Sequence, residues 1–305
     1  YAHGGTYSWE LTAVGVAYQD ASNWDNAWRG RYVSITGWIR TTSTYAARIN
    51  IDDGVGETNS PIDTSQAWTR YVVTRKLDAA ATRFRIELEV TTGNACYFDD
   101  IVISAPTIGA PLKGIDFNSL HYIPVGNILT KLNGTGNGLT EVTVFPATIT
   151  ALEVFGSNLF IALGTSNTYW YMSTAEAFTE STAAVKTFKY FKTVDAATPV
   201  LWGSDGDNTI RSNTNPINGG AAWSGQTTIA SSWDEITGLY SDSGLLYVTK
   251  EDIPYYLDSG GAVKNDLAPE LGTIARSIDN GKGANWWLHN FYMPWGSSLL
   301  EEDDG

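Results

Sequence analysis

Three histidines, His3, His121 and His289, and one cysteine, Cys96, are the whole supply of side chains that most often act as a general base or thiolate near neutral pH. No Gly-x-Ser-x-Gly elbow and no phosphate-cradling loop accompanies them. His121 and His289 occupy nearly matching places in two repeat units, which reads as a structural role. Cys96 alternates with Phe98 in a strand-like run and reads as a buried, inert thiol. A single cysteine also excludes an intrachain disulfide and a cysteine-based metal site. Hydrolysis of an acidic sugar by a sialidase-type mechanism needs three arginines around a carboxylate, with a Tyr–Glu nucleophile pair. Beyond residue 113 the chain has only Arg211 and Arg276. Other glycosidases need two carboxyl groups about 5–9.5 Å apart. The 33 acids could supply such a pair, but no spacing singles one out, so no catalytic residue is assigned.

The elements that would position any site must be built from 305 residues with a net charge of −14. That length suffices for two ordinary domains. Hydrophobic residues at 43% exclude wholesale disorder, and charged residues at 17% leave a surface of Thr, Ser, Asn and Gly. An acidic chain lacks the cations that displace counterions from nucleic acid or dock on an anionic membrane. No apolar run reaches the roughly 18–20 residues that span a bilayer. Neither nucleic acid nor membrane is therefore an expected partner. Residue 1 is a tyrosine with no signal-like segment after it, so the chain is expected to be processed or part of a longer one.

Composition changes across residues 105–113, a Pro- and Gly-containing stretch that reads as an extended linker. Residues 1–104 hold eight arginines and one lysine; residues 105–305 hold two arginines and eight lysines. Net charge is −3 before the boundary and −11 after it. The expected organisation is a sandwich domain over 1–104, a linker over 105–113 and a repeat domain over 114–305.

In the first half Phe84, Ile86, Leu88 and Val90 alternate with Arg83, Arg85, Glu87 and Glu89. A period of two with one apolar face predicts a half-buried antiparallel strand. Val33, Ile35 and Ile39 repeat the pattern, as do Tyr45, Ala47, Ile49 and Ile51. Residues 68–74 and 95–104 read as further strands. Short strands with intervening turns predict a β-sandwich.

Particular residues carry a resemblance. The run Gly5-Thr6-Tyr7-Ser8-Trp9-Glu10-Leu11-Thr12-Ala13, the run from Arg29 through Gly37-Trp38-Ile39-Arg40, Gln66-Ala67-Trp68-Thr69, and the closing Tyr97-Phe98-Asp99-Asp100-Ile101-Val102-Ile103 together resemble the carbohydrate-binding-module type of jelly roll, in the form found in bacteriophage virion proteins. The resemblance covers residues 4–104; the apolar-Asn-Gly first strand usual in that family is missing. It implies glycan contact through exposed aromatic rings, with Trp24, Trp28, Tyr45 and Trp68 as candidates. The same residues could instead fill the core or an intersubunit contact. It also implies that an Asp of the Asp99–Asp100 pair could help hold one structural Ca²⁺. Strand alternation places those two side chains on opposite faces, and the competing reading has one capping a loop and the other in solvent.

The second half repeats. Tyr122-Ile123-Pro124-Val125-Gly126 recurs as Tyr292-Met293-Pro294-Trp295-Gly296, with similar apolar runs at Leu159–Ala162, Pro199–Trp202 and Leu245–Val248. A four-stranded unit every 40–46 residues is the period of a β-propeller. Five units are visible and the last is short, so further sequence is expected after Gly305. Residues 212–223 resemble a degenerate Asp-box hairpin of sialidase-like propellers, in which the box is a structural turn. The expected fold is therefore all-β: an N-terminal jelly-roll sandwich followed by a β-propeller, incomplete in this chain.

The expected function is a structural or adhesive component of a phage virion, such as a tail fibre, tail-associated or capsid-decorating protein. It would sit on the virion surface, extracellular, contact other virion subunits, form a homo-oligomer such as a trimer, and bind a cell-surface glycan. The alternative is a secreted carbohydrate-active enzyme with a binding module and a catalytic propeller.

Overall fold

The computed structural model describes residues 2–229 apart from 4, 22, 23, 25–27, 94, 108, 110, 137 and 186, and thereafter 235–242, 244–250, 255–257, 262–264, 285–287, 290–295 and 298–302. Among them there is no α-helix. Two compact units divide the chain. One comprises Tyr1–Gly109, Gly126–Thr130 and Leu139–Pro146; the other comprises Ala110–Val125, Lys131–Gly138 and Ala147–Gly305.

The first unit begins with eight strands: β1 (Trp9–Leu11), β2 (Gly15–Asp20), β3 (Tyr32–Arg40), β4 (Ala46–Asp52), β5 (Glu57–Asn59), β6 (Thr69–Lys76), β7 (Arg85–Thr92) and β8 (Cys96–Ser104). They form two antiparallel sheets, ordered β1-β8-β3-β6 and β2-β7-β4-β5. Both sheets contribute to one core, which makes this unit a β-sandwich. The alternating residues read from the sequence make the core: Val33, Ile35 and Ile39 of β3 pack with Ile49 and Ile51 of β4, Leu88 and Val90 of β7, and Phe98 of β8. Cys96 is fully buried among them, and burial pushes its thiol pKa up. Asn127 ties the two other segments of this unit to its own. Its Oδ1 accepts the Thr107 N–H at 2.7 Å, and its Nδ2 donates to the carbonyls of Ala105 and Phe145.

Among the described residues twenty-one strands follow: β9 (Ile115–Phe117), β10 (Leu120–Val125), β11 (Ile128–Leu132), β12 (Leu139–Val144), β13 (Ala151–Phe155), β14 (Asn158–Ala162), β15 (Gly164–Thr168), β16 (Trp170–Ser173), β17 (Phe178–Glu180), β18 (Thr187–Phe188), β19 (Tyr190–Val194), β20 (Val200–Ser204), β21 (Thr209–Asn213), β22 (Thr227–Thr228), β23 (Ile236–Asp242), β24 (Leu245–Lys250), β25 (Tyr255–Leu257), β26 (Val263–Lys264), β27 (Asn285–Trp287), β28 (Asn290–Trp295) and β29 (Ser298–Glu302). The sheets are antiparallel meanders: β9 to β12; β13, β14, β16 and β17; β19 to β22; β23 to β26; and the three-stranded β27 to β29. Successive four-stranded meanders are the blade unit of a β-propeller. The first strands β13, β19 and β23 lie next to one another in that order, with β9 beside β13.

The recurrent apolar run of the sequence is the second strand of each meander, β10, β14, β20, β24 and β28. Such a strand has a neighbour on each edge and a packed layer on each face, so it reads as continuous apolar text. In β14, Leu159, Phe160, Ile161 and Ala162 are all fully buried. Aromatic rings fill the spaces between meanders. Phe160, Tyr169, Phe188, Phe191 and Trp223 form one cluster. The hairpin over 212–223 is a structural turn: Asn213 accepts from the Asn215 N–H and donates to the Ala221 carbonyl, and Trp223 is buried at its end. β15 and β18 pair as a separate two-stranded sheet, which the repeat pattern does not announce.

Candidate binding site

A trough of about 580 Å³ lies between the two sheets of the first unit. It arises from a mismatch in strand length. β1 pairs with β8 only at Trp9↔Phe98, Glu10↔Tyr97 and Leu11↔Cys96. β8 continues to Ser104, paired with β3 on its other edge. Beyond Phe98 no described strand lies on the β1 side of β8. The facing sheet is longer there, with β2 paired to β7 from Gly15↔Val90 to Asp20↔Arg85. The trough floor is therefore inner-face apolar surface left uncovered: Ala17, Ile86 and Leu88 from one sheet, Ile101 and Ile103 from the other.

Aromatic rings rim this trough. Tyr7 is 85% exposed, Trp9 66% and Tyr18 59%. Trp9 stands opposite core-facing Phe98, so it belongs to the inner face and is exposed because nothing covers that end. The Tyr18 ring lies 3.7 Å from the Arg85 guanidinium, which is itself bidentate to Asp20.

Asp99 and Asp100 line the mouth, and here the structure corrects the expectation of opposite faces. Thr36 pairs with Val102 and Trp38 with Asp99, which leaves Asp100 and Ile101 against the single residue Gly37. That is a β-bulge. Asp100 takes a left-handed φ of 47° within it. The bulge brings both carboxylates to His3: Asp99 Oδ2 accepts the His3 backbone N–H at 2.8 Å, and Asp100 Oδ2 lies 3.0 Å from His3 Nδ1. Calcium takes six to eight oxygen ligands. Both carboxylates contact one histidine, and no group of three or more His, Cys, Asp or Glu side chains that could hold a metal occurs among the described residues.

Gly37 holds the bulge in place. A Cβ there would lie 2.4 Å from Ile101 Cδ1 and 2.7 Å from Ile49 Cδ1. Gly37→Val is expected to push Ile101 into the trough and to cost about 1–3 kcal/mol by overpacking. The check is the denaturation midpoint of the sandwich, with Gly37→Ala expected to fall between wild type and valine.

The four aromatics singled out from the sequence do not gather. Trp24, Trp28 and Tyr45 pack against the sandwich core. Arg29 lies 5.4 Å from the Trp24 ring, and Trp28 meets Phe84 edge-on at 5.7 Å. The Tyr45 ring covers Gly93, where any Cβ would overlap it. Trp68 meets His3 edge-on at 5.9 Å, while Trp38 stacks on His3 at 3.6 Å. Tyr7, Trp9 and Tyr18 were not singled out. The signal available was the Tyr7-Trp9-Leu11 alternation, which marks an inner face but not whether that face is covered.

In the second unit, residues of several first strands converge on a smaller cleft of about 210 Å³. Its polar lining includes Lys113, Glu153 and Lys192. Glu153 Oε1 accepts the Thr193 N–H at 2.9 Å, and Oε2 lies 3.5 Å from Lys192 Nζ. A Tyr–Glu pair also exists: Tyr122 donates to Glu176 Oε1 at 2.8 Å, and Lys131 bonds the same oxygen. Tyr122 is fully buried; burial, then the Glu176 bond, push its phenol pKa up, so it is held as a donor rather than freed as a nucleophile. The Lys131 bond in turn lowers the Glu176 carboxyl. His121 is paired through Nδ1 with Asp116 at 2.7 Å, and Arg211 donates to the Ser224 carbonyl. His289 and Arg276 lie outside the described residues.

No protein-family model matches the chain, and no curated protein matches it by sequence. Among solved structures it is similar to a streptogramin B lyase (10% identity, 88% of this chain and 98% of that one, TM-score 0.49). It is also similar to virginiamycin B lyase from Staphylococcus aureus (12% identity, 94% and 98%, TM-score 0.48) and to YCF48 bound to D1 peptide (10% identity, 100% and 84%, TM-score 0.44). At these identities no activity passes from those proteins to this one.

Proposed function

We propose that the chain is a structural, attachment-type component of a phage particle, displayed on the virion surface. Its sandwich would act as the contact module and its repeats as a rigid platform for neighbouring subunits of a homo-oligomer. The observation that supports this best is the uncovered trough between β8 and β2, rimmed by Tyr7, Trp9 and Tyr18. Contiguous exposed apolar surface with polar groups at its margin is characteristic of interaction sites. The virion setting rests on the resemblance of residues 4–104 to phage carbohydrate-binding-module-type sandwiches.

A second reading, capture of a cell-surface glycan in the same trough, is favoured by one feature. Aromatic rings stand beside the carboxylates of Asp99 and Asp100, which could accept sugar hydroxyls. Gold-labelled antibody against the chain, applied to purified phage particles and to the particle-free fraction, tests the primary reading. Label on particles is expected. Label confined to the soluble fraction, or release of short saccharides from polysaccharide by the purified chain, would remove it in favour of a secreted enzyme.

A further inference from the structure

We infer that the trough of the first unit is a strand-docking site. It would take an extended segment of another polypeptide that adds to the outer edge of β8 and closes the sandwich. The inference rests on the attachment reading above and names the partner's chemistry.

Two independent features of the trough have the same complement. The first is backbone. β8 is paired on both edges at Tyr97 and Phe98 but only with β3 from Asp99 to Ser104, where Asp100 and Ile101 form the bulge. An extended edge presents main-chain donors and acceptors that a strand satisfies and a compact ligand does not. At the bulge the Asp100 N–H already bonds Asp99 Oδ1 at 2.9 Å, so the bare extended edge is Ile101–Ser104, about 13 Å at strand rise, and the docking segment needs about four residues.

The second feature is side-chain pattern. Ile101 and Ile103 face inward beside the bare edge, across from Ala17, Ile86 and Leu88 of the other sheet. A strand inserted there puts every second side chain into the trough. Those positions call for aliphatic residues, and the alternate ones face solvent beside Val102, which is 52% exposed. The Asp100 carboxylate at the mouth remains half exposed. This selects a segment with a lysine or arginine at its end. The same charge argues against a second copy as the occupant, because this chain carries −14 overall.

The test uses the full chain and an acetylated peptide that alternates valine and threonine between terminal lysines. Saturable binding is expected, with slowed amide exchange across residues 101–104. A peptide N-methylated on alternate amides, which cannot pair with an edge, is expected not to bind. Ile103→Asp is expected to weaken uptake about tenfold, while Val102→Asp, on the outward face, leaves it near wild type. The two peptides keep the test meaningful even if the Ile103 variant folds poorly. Equal binding of the N-methylated peptide, displacement by a neutral oligosaccharide, or a dimer dissolved by Ile103→Asp would overturn the proposal. Particle labelling without peptide uptake would also overturn it and leave the attachment reading standing.

Discussion

Asp53→Ala is expected to destabilise the sandwich by about 3–5 kcal/mol, the cost of stranding one member of a buried ion pair. Asp53 is fully buried at the turn after β4. Its Oδ2 accepts from Arg75 Nε at 2.9 Å and from the Asp78 N–H at 2.9 Å; its Oδ1 accepts from the N–H groups of Val55 and Gly56. Arg75 is itself only 15% exposed, so removing the carboxylate leaves a guanidinium with little water to turn to. Asp53→Asn keeps the volume but presents an amide N–H₂ where an acceptor is needed, and is expected to recover only part of the loss.

The same carboxylate sets a pH dependence. Burial acts to raise its pKa, but the hydrogen bonds from Asp78, Gly56, Val55 and Arg75 outweigh it and hold the pKa at about 2. A folded-state value below the unfolded one means that the contribution is complete above about pH 4. It is lost as pH falls toward 2, and amounts to about 2 kcal/mol. Hydrogen exchange in mild denaturant, read over β3 to β8, checks both the substitution and the acid limb. An acid limb unchanged in the Asp53→Ala protein would show that another carboxylate is responsible.

The second large effect is expected in the repeats. Trp223→Ala is expected to cost about 3–5 kcal/mol, the usual range for removing a buried large aromatic. The Trp223 ring centre lies 4.4 Å from that of Phe188 and stacks near-parallel on Phe191 at 6.2 Å. Its Nε1 donates to the Tyr169 hydroxyl at 3.4 Å, and that hydroxyl donates onward to the Pro216 carbonyl at 2.7 Å. The substitution therefore opens a cavity and removes a hydrogen-bond donor from Tyr169 together. Trp223→Phe should restore most of the packing but not the donor. Exchange over β14, β16 and β20 should quicken with alanine while that of β3 to β8 stays unchanged. Quickening in both sets would contradict the assignment of Trp223 to the repeat core.

These effects also show which features were legible in the sequence. Phe84, Leu88 and Val90 announced β7 because one face is buried and the other wet, and that alternation survives in the sequence. The second strands of the meanders were legible for the opposite reason: Leu159 to Ala162 are buried on both faces, so polar residues are absent. The short outer strands β22 and β26, two residues each, hold no period at all. The site was less legible. Exposure of Trp9 depends on how far β1 runs beside β8, and length mismatch between strands distant in sequence leaves no local mark. Trp24, Trp28 and Tyr45 satisfy the same composition rule as true surface aromatics, yet the core claims them. The placement of Asp99 and Asp100 turned on a bulge, and a bulge reverses the strand alternation from which their faces were read.

The central claim is that β8 has a bare edge beside an uncovered apolar face. Residue-resolved amide exchange of the free full-length chain tests it most directly. The account predicts slow exchange at Tyr97 and Phe98, where both edges are paired. It predicts alternating slow and fast amides past the bulge, from Ile101 to Ser104, the fast ones pointing away from β3. Uniform protection along the whole of β8 would contradict it, because every outward amide would then already have a partner.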